Sequence, residues 1–406
     1  MARALSIRYI WIDTLCILQG PKPEARLDWA RESVKMANIY RDAVLTISAS
    51  NSSSVHQGFL HTRARDGPPH VKMAFQRSER YHPVDILLGF QAFGYARCFI
   101  REPLNLRGWT LREDLLSTQQ LMCGEAEFGW SCQELAEHEC GESLSAINEY
   151  WLQRRLEAAK DQHSVEWGAI VLHYSTRALT APSDKLPAIS ALALLHSQCR
   201  GPKDAYLAGV WMSTLADDLL WWITHRNGQH AYPEHYRAPS FSWAAVDGEV
   251  TFEIGKGAYC CELVEFSIHP SDINPFGEVD SGWISLNGPL QEVHSLAATP
   301  FLHVVCCDKE GPIYRWGDAT LDILGNDDIE KMANECRDIT AIILNVLKPL
   351  GNEFWLLLIR DNLALLLAKV QKAVQENTFR RIGLVDITGH GTKEFQFVMK
   401  QTIQII

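Results

Sequence analysis

The chain lacks the short signatures that name the commonest enzyme classes. Its 406 residues hold no G-x-S-x-G elbow, no Walker phosphate loop and no H-E-x-x-H helix. The motif routes to a serine hydrolase, a P-loop nucleotidase and a zinc protease are therefore closed. No CxxC pair occurs, and the eleven cysteines are odd in number and irregular in spacing. That pattern fits reduced thiols buried as small apolar residues, not a disulfide frame. The adjacent pairs Cys260-Cys261 and Cys306-Cys307 cannot both point one way on a strand. Cys123, Cys132, His138 and Cys140 match no common zinc-finger spacing. Long apolar runs are missing too. Residues 354–370 come nearest, but they carry Arg360 and Asp361 near the middle. Residues 7–18 are broken by Arg8 and Asp13, so neither a membrane span nor a signal peptide is expected. Basic charge is in deficit, 38 residues against 49 acidic, for a net charge of −11. Such a field repels phosphate and excludes bulk nucleic-acid binding. Repeats and low-complexity tracts are absent. The expectation is a cytoplasmic protein with no nucleic-acid partner and no metal site.

What the chain does have is apolar material. Hydrophobic residues make up 47% and charged ones 21%, enough for buried cores, and the length implies more than one domain. Residues 9–17 form an apolar, β-branched and aromatic run that reads as a strand buried on both faces. Asp28 is a candidate N-cap for a helix reaching Tyr40. Residues 44–48 read as a second strand, completing a βαβ unit. Residues 50–106 look irregular, residues 107–117 helical and residues 120–130 strand-like. Three amphipathic helices are expected between 143 and 225: one through Leu152, Leu156 and Ala159, one over 185–199 and one over 205–222. Beyond residue 239, short apolar blocks separated by Gly, Pro and Asp predict a β-rich region with one helix near 361–375. The expected division is an α/β domain over 1–140, a helical region over 141–235 and a β-rich region over 236–406.

Four blocks carry a family resemblance. Arg8-Tyr-Ile-Trp-Ile-Asp-Thr-Leu-Cys-Ile-Leu-Gln19 is the first, and Asp28-Trp29 with Glu32, Met36 and Ile39-Tyr40 is the second. Residues 44–50 are the third. Arg107-Gly-Trp-Thr-Leu-Arg-Glu113 with Leu115-Leu-Ser117 is the fourth. These resemble the fungal heterokaryon-incompatibility (HET) domain, and weaker echoes run through residues 174–187, 206–211, 237–243 and 380–384. Two departures stand out. Arg112 sits where glutamine is usual. The usual first strand and helix do not precede the first block, so the resemblance implies an N-terminally truncated sheet.

The resemblance implies programmed cell death in fungal self/non-self recognition, an innate-immunity-like role. It also implies a TIR-like parallel sheet, since HET domains are held to be distant relatives of TIR domains, some of which cleave NAD. On that analogy Glu113 is the candidate catalytic carboxylate, with NAD as a substrate and no cofactor. In a helix Glu113 lies one turn beyond Trp109 on the same face, where an indole could raise its pKa. There it could bind a ribose hydroxyl or steady an oxocarbenium-like transition state. The alternative is a salt bridge to Arg112 or Arg107, or plain exposure. Asp13 interrupts a buried strand and so needs a partner or a ligand; the alternatives are loop amides or Arg8. Arg107 could clamp a phosphate, or simply lie on the surface. Asp184-Lys185 and Asp217-Asp218 read as solvated or capping charges, and Trp211, Trp221-Trp222 and Trp243 as core. The competing function is a non-catalytic module acting as a homo-oligomer or on a receptor-type partner; a third is an inactive remnant.

Overall fold

The computed structural model describes residues 1–20, 22–60, 71–75, 84–88, 102–125, 127–132, 134–139, 163–225, 233, 235–253, 257–298, 302–307, 313–322, 347, 353–371, 373–387 and 395–406. The chain forms two compact units. One gathers Met1–Val34 and Ala159–Ile406; the other is Lys35–Ala158.

Residues 9–17 do not form the expected strand. Residues 7–12 carry no regular structure, and Asp13–Cys16 is a single helical turn, α1. Tyr9, Ile10, Leu15 and Leu18 are exposed. A strand satisfies its backbone only through a neighbour, and among the described residues none pairs with this run. Helix α2, Pro23–Asp42, starts five residues before Asp28. Pro23 is its first residue, where a missing N–H costs nothing. The Asp28 carboxylate instead accepts the Leu18 amide at 2.8 Å.

In the unit Lys35–Ala158, strand β1 is Thr46–Ser48. The stretch read as irregular contains a hairpin of β2, Val71–Phe75, and β3, Val84–Leu88. Helix α3 is Thr110–Leu116. Strands β4 (Gln119–Cys123), β5 (Phe128–Cys132) and β6 (Ala136–His138) follow. The segment expected as one strand is thus a hairpin turning at Gly124. The sheet order is β1-β4-β5-β6, with β1 parallel to β4 and the other pairs antiparallel. The sheet is mixed, not wholly parallel. Its one parallel pair has α3 in the crossover, which places the Arg107–Ser117 block between the two strands in sequence.

In the other unit, α4 is His163–Ser175 and α5 is Lys185–Cys199, the latter matching the expected helix. The helix expected through Leu152 lies outside the described residues. The helix expected over 205–222 is replaced by β7 (Tyr206–Leu207), β8 (Val210–Trp211), a short α6 (Leu215–Asp218) and β9 (Trp221–His225). Ala208 and Gly209 break it: both have positive φ, 49° and 113°, as a two-residue hairpin turn requires. The Gly209 carbonyl accepts the indole N–H groups of Trp167 and Trp243, each at 2.7 Å. Trp167, Trp211, Trp221 and Trp243 are fully buried. Trp211, Trp221 and Trp243 are core, as expected, and the indole N–H groups of Trp167, Trp221 and Trp243 are tied to backbone carbonyls.

The C-terminal part is β-rich. After β10 (Glu249–Phe252), which pairs with β9, come β11 (Glu262–Pro270), β12 (Val279–Val293), β13 (Ser295–Ala298), β14 (Leu302–Cys307) and β15 (Ile313–Leu321). Then follow β16 (Phe354–Arg360), β17 (Leu363–Lys369), β18 (Thr378–Ile387) and β19 (Lys400–Ile405). The helix expected near 361–375 is therefore the strand β17. Leu, Ala and Lys favour helix in isolation. However, Asp361-Asn362 makes a tight turn, and β17 is buried between β16 and β18. A strand buried on both faces has no alternation to betray it. Strand β19 pairs with both β12 and β18, so β12, β16, β17, β18 and β19 form a closed ring. Leu356, Leu358, Ala364, Leu366, Ile382 and Val385 are buried on the sheet with Leu296 and Val304.

No helix among the described residues is long and apolar enough to cross a membrane.

Candidate functional site

The sheet of the unit Lys35–Ala158 gives the site its frame. In open α/β sheets, ligands bind beyond the carboxyl ends of parallel strands. Here those ends are Ser48 of β1 and Cys123 of β4. The chain leaving β1 folds across them: the Asn51 amide donates to the Cys123 carbonyl at 3.1 Å. The segment entering α3 joins the same end, with the Leu104 amide donating to the Ser50 carbonyl at 3.1 Å. The Thr110 hydroxyl fastens the first turn of α3, donating to the carbonyls of Leu104 and Arg107, both at 2.8 Å. At the other end, Ser117 Oγ donates to Thr46 Oγ1 at the start of β1. Helix α3 thus runs back along the strands, its amino end at their carboxyl ends.

An unusually polar set is buried at this end. Ser48, Ser50, Asn51, Glu102, Asn105 and Thr110 are all buried. Ser48 and Ser50 share a hydrogen bond of 3.2 Å, and a Glu102 carboxylate oxygen accepts the Glu125 amide at 2.9 Å. Buried polar groups need partners, and each costs about 1–3 kcal/mol if left without one. Such a set is assembled where structure or chemistry demands it. Sequence reasoning missed Glu102, which sits in the stretch read as an irregular insertion. Its sequence neighbours carry no periodicity to mark it.

The candidate residues of α3 and its approach fall as follows. Arg107 is exposed; Trp109 is the N-cap residue and half-buried; Glu113 is half-buried, one turn into the helix. The Arg112 guanidinium sits over the Trp109 ring. The Arg112 guanidinium carbon lies 4.5 Å from the ring centroid, and Arg112 is buried. Arg112 also meets Met36 Sδ of α2. Arg112, the departure from the family pattern, is thus buried in α3 alongside Leu111, Leu115 and Leu116. A cation over an indole contributes about 2 kcal/mol when desolvated. Asp13 belongs to the other unit. It opens α1, is exposed, and accepts the Thr14 amide at 2.6 Å. Glu113 lies in α3, Trp109 caps it and Arg107 precedes it, whereas Asp13 belongs to the other unit.

Of the four residues weighed for zinc, Cys123 is a buried free thiol and Cys132 a half-buried one; Cys140 lies outside the described residues, as does the His138 side chain.

Two charges read as solvated are buried. Lys185 donates to the Val246 carbonyl, lies 3.9 Å from Asp247, and is pulled down to about 7 by burial and then by Arg237. Asp218 accepts the Trp211 amide at 2.8 Å and the Thr214 hydroxyl at 3.0 Å, yet burial pushes it up to about 7. Neither adjoining sequence distinguishes them from surface charges.

Residues 1–113 match the family model described as Heterokaryon incompatibility protein (HET). The matched span contains Asp13, Arg107, Trp109 and Glu113. Comparison with curated proteins and with solved structures finds no match.

Proposed function

With residues 1–113 carrying the heterokaryon-incompatibility domain, we propose that the chain is a cytoplasmic effector of fungal self/non-self recognition that acts in programmed cell death by TIR-like hydrolysis of NAD. Glu113 is the catalytic carboxylate in this reading, NAD is the substrate, and no resident cofactor is needed. The observation that supports it is the parallel pair β1–β4, with α3 in its crossover and buried polar groups at the strands' carboxyl ends. The bond between ribose C1 and the nicotinamide nitrogen breaks, and nicotinamide leaves with the electron pair. The Glu113 carboxylate steadies the positive charge on the ribose, water adds to C1, and its proton passes to solvent. Exposed Arg107 is suited to the pyrophosphate, and Trp109 to a flat ring. Asp13 is the remaining substrate-binding candidate.

The test is expression in yeast of the wild-type chain and of Glu113→Ala, reading cellular NAD and viability. Toxicity with NAD loss, abolished by the substitution, is the expected result. Toxicity that persists in Glu113→Ala with NAD intact would overturn it.

A second reading has its own support. Arg112 occupies the Trp109 face, and Tyr9, Ile10, Leu15 and Leu18 are exposed. Exposed apolar side chains in one segment suit association with another chain. On this reading the domain is a non-catalytic signalling module, working as a homo-oligomer or on a receptor-type partner. The persistent-toxicity outcome above favours it.

A further inference from the structure

A cavity of about 210 Å³ opens beside the short helix α6. Its lining runs from exposed Ser213 and Tyr259 inward to buried Leu219 and Leu286. No charged side chain lines it. The three carboxylates bonded to its walls are already engaged. Asp204 is held by Ser213 Oγ at 2.6 Å and by Arg200 at 2.7 Å. Asp217 is held by Tyr259 Oη at 2.8 Å and by Arg360. Asp218 is held by the Trp211 amide and the Thr214 hydroxyl. Cys261, on the wall, is pushed up to about 11 by burial, so its thiol stays neutral at neutral pH.

The outer wall is fixed before anything enters. Tyr259 is pinned by its bond to Asp217, and the Arg360 guanidinium carbon lies 4.1 Å from its ring centroid. Arg360 also donates to the Gly257 carbonyl at 2.8 Å. A wall already in place spares the ordering cost of binding. The lining is mixed, with Ser213, Thr214 and Tyr259 towards the mouth and Leu219, Leu263 and Leu286 on the apolar wall. An ion would be desolvated here without a partner.

We propose that this cavity binds a small neutral ligand whose buried part is apolar, the size of a substituted ring or a fused bicycle. The site is independent of the HET-domain candidate. Indole is the neutral probe and benzoate the anionic one, titrated into the full chain while Tm is followed. Indole is expected to raise Tm in a saturating way, and benzoate is not. Ala216→Trp, which puts a ring into the cavity, is expected to lose the indole shift. A second readout needs no variant: N-ethylmaleimide labelling at about pH 9, where a small thiolate fraction of Cys261 forms, followed by mass spectrometry. Indole is expected to slow alkylation of Cys261 several-fold and to leave exposed Cys199 unchanged. An equal shift with benzoate, a shift retained in Ala216→Trp, or Cys261 reactivity indifferent to indole each overturns the proposal. If Ala216→Trp does not fold, the Cys261 result alone decides.

Discussion

Asp218 and Lys185 are buried in one unit, and their titrations pull stability in opposite directions. The Asp218 carboxyl is raised to about 7 by burial. Between about pH 4 and 7 the native state holds a proton that the unfolded chain has lost. Its contribution is complete below the unfolded pKa and fades as pH rises towards 7. Lys185 is lowered to about 7. Between 7 and about 10.5 the unfolded chain binds the extra proton, so stability recovers as pH rises. Together the two predict a minimum of stability near neutral pH, each limb sloping at most about 1.4 kcal/mol per pH unit. Urea denaturation from pH 4 to 10 measures it. Asp218→Asn should flatten the acid limb and Lys185→Met the alkaline limb. An acid limb unchanged in Asp218→Asn would refute the assignment. Neither residue was legible as buried. Both sit in charged pairs whose sequence context is that of a solvated surface, and only the tertiary fold brings Val246 to Lys185 and the Trp211 amide to Asp218.

At the scale of elements, the β7–β8 turn makes a second prediction. A Cβ built on Gly209 would stand 2.8 Å from Ser242 Oγ and 2.9 Å from Trp243 Nε1, with φ at +113°. Gly209→Val should destabilise by about 2–4 kcal/mol, from left-handed strain and overpacking. Gly201→Ala, with open space around it, should change stability by less than about 1 kcal/mol. Chemical denaturation of both separates the two cases, and equal effects would count against the account. The same turn shows where sequence reading stops. Leu207, Val210, Trp211, Leu215 and Leu219 mimic one apolar helix face, and the paired positive φ values of Ala208 and Gly209 undo it. Helix α5 was legible from its run of Leu and Ala, although it is buried on nearly every side and is not the amphipathic helix expected. Helix α3 was legible because its block is distinctive. Strand β17 was not, since a doubly buried strand and a buried helix share a composition. Residues 9–17 misled for a different reason: β-propensity speaks of a side chain's fit to a sheet and does not supply the neighbouring strand. For the candidate site, Trp109 and Glu113 were legible on one helix, but the stacking of Arg112 on Trp109 depends on Met36 and the packing of α2.

At the scale of the molecule, two units imply two cooperative transitions. Arg381 belongs to the unit containing Ala159–Ile406. It is wholly buried, pairs with buried Asp322 at 3.1 Å, and also donates to the carbonyls of Leu219 and Trp221. Arg381→Ala would remove a buried ion pair with Asp322 and the bonds to the Leu219 and Trp221 carbonyls, at a cost of about 3–5 kcal/mol. In scanning calorimetry one transition should fall in temperature by several degrees while the other stays in place. A single transition that moves as a whole would show that the units unfold as one.

The closed ring of strands has a consequence for synthesis. Strand β12 cannot be enclosed until β19 is available, and more than a hundred residues separate their starting points in the chain. At roughly 5–20 residues per second, several seconds pass on the ribosome before β12 can meet β19, whereas β18 precedes β19 directly and waits far less. The unit Lys35–Ala158 emerges earlier. Holdase chaperones have most to do in the interval before β19 emerges.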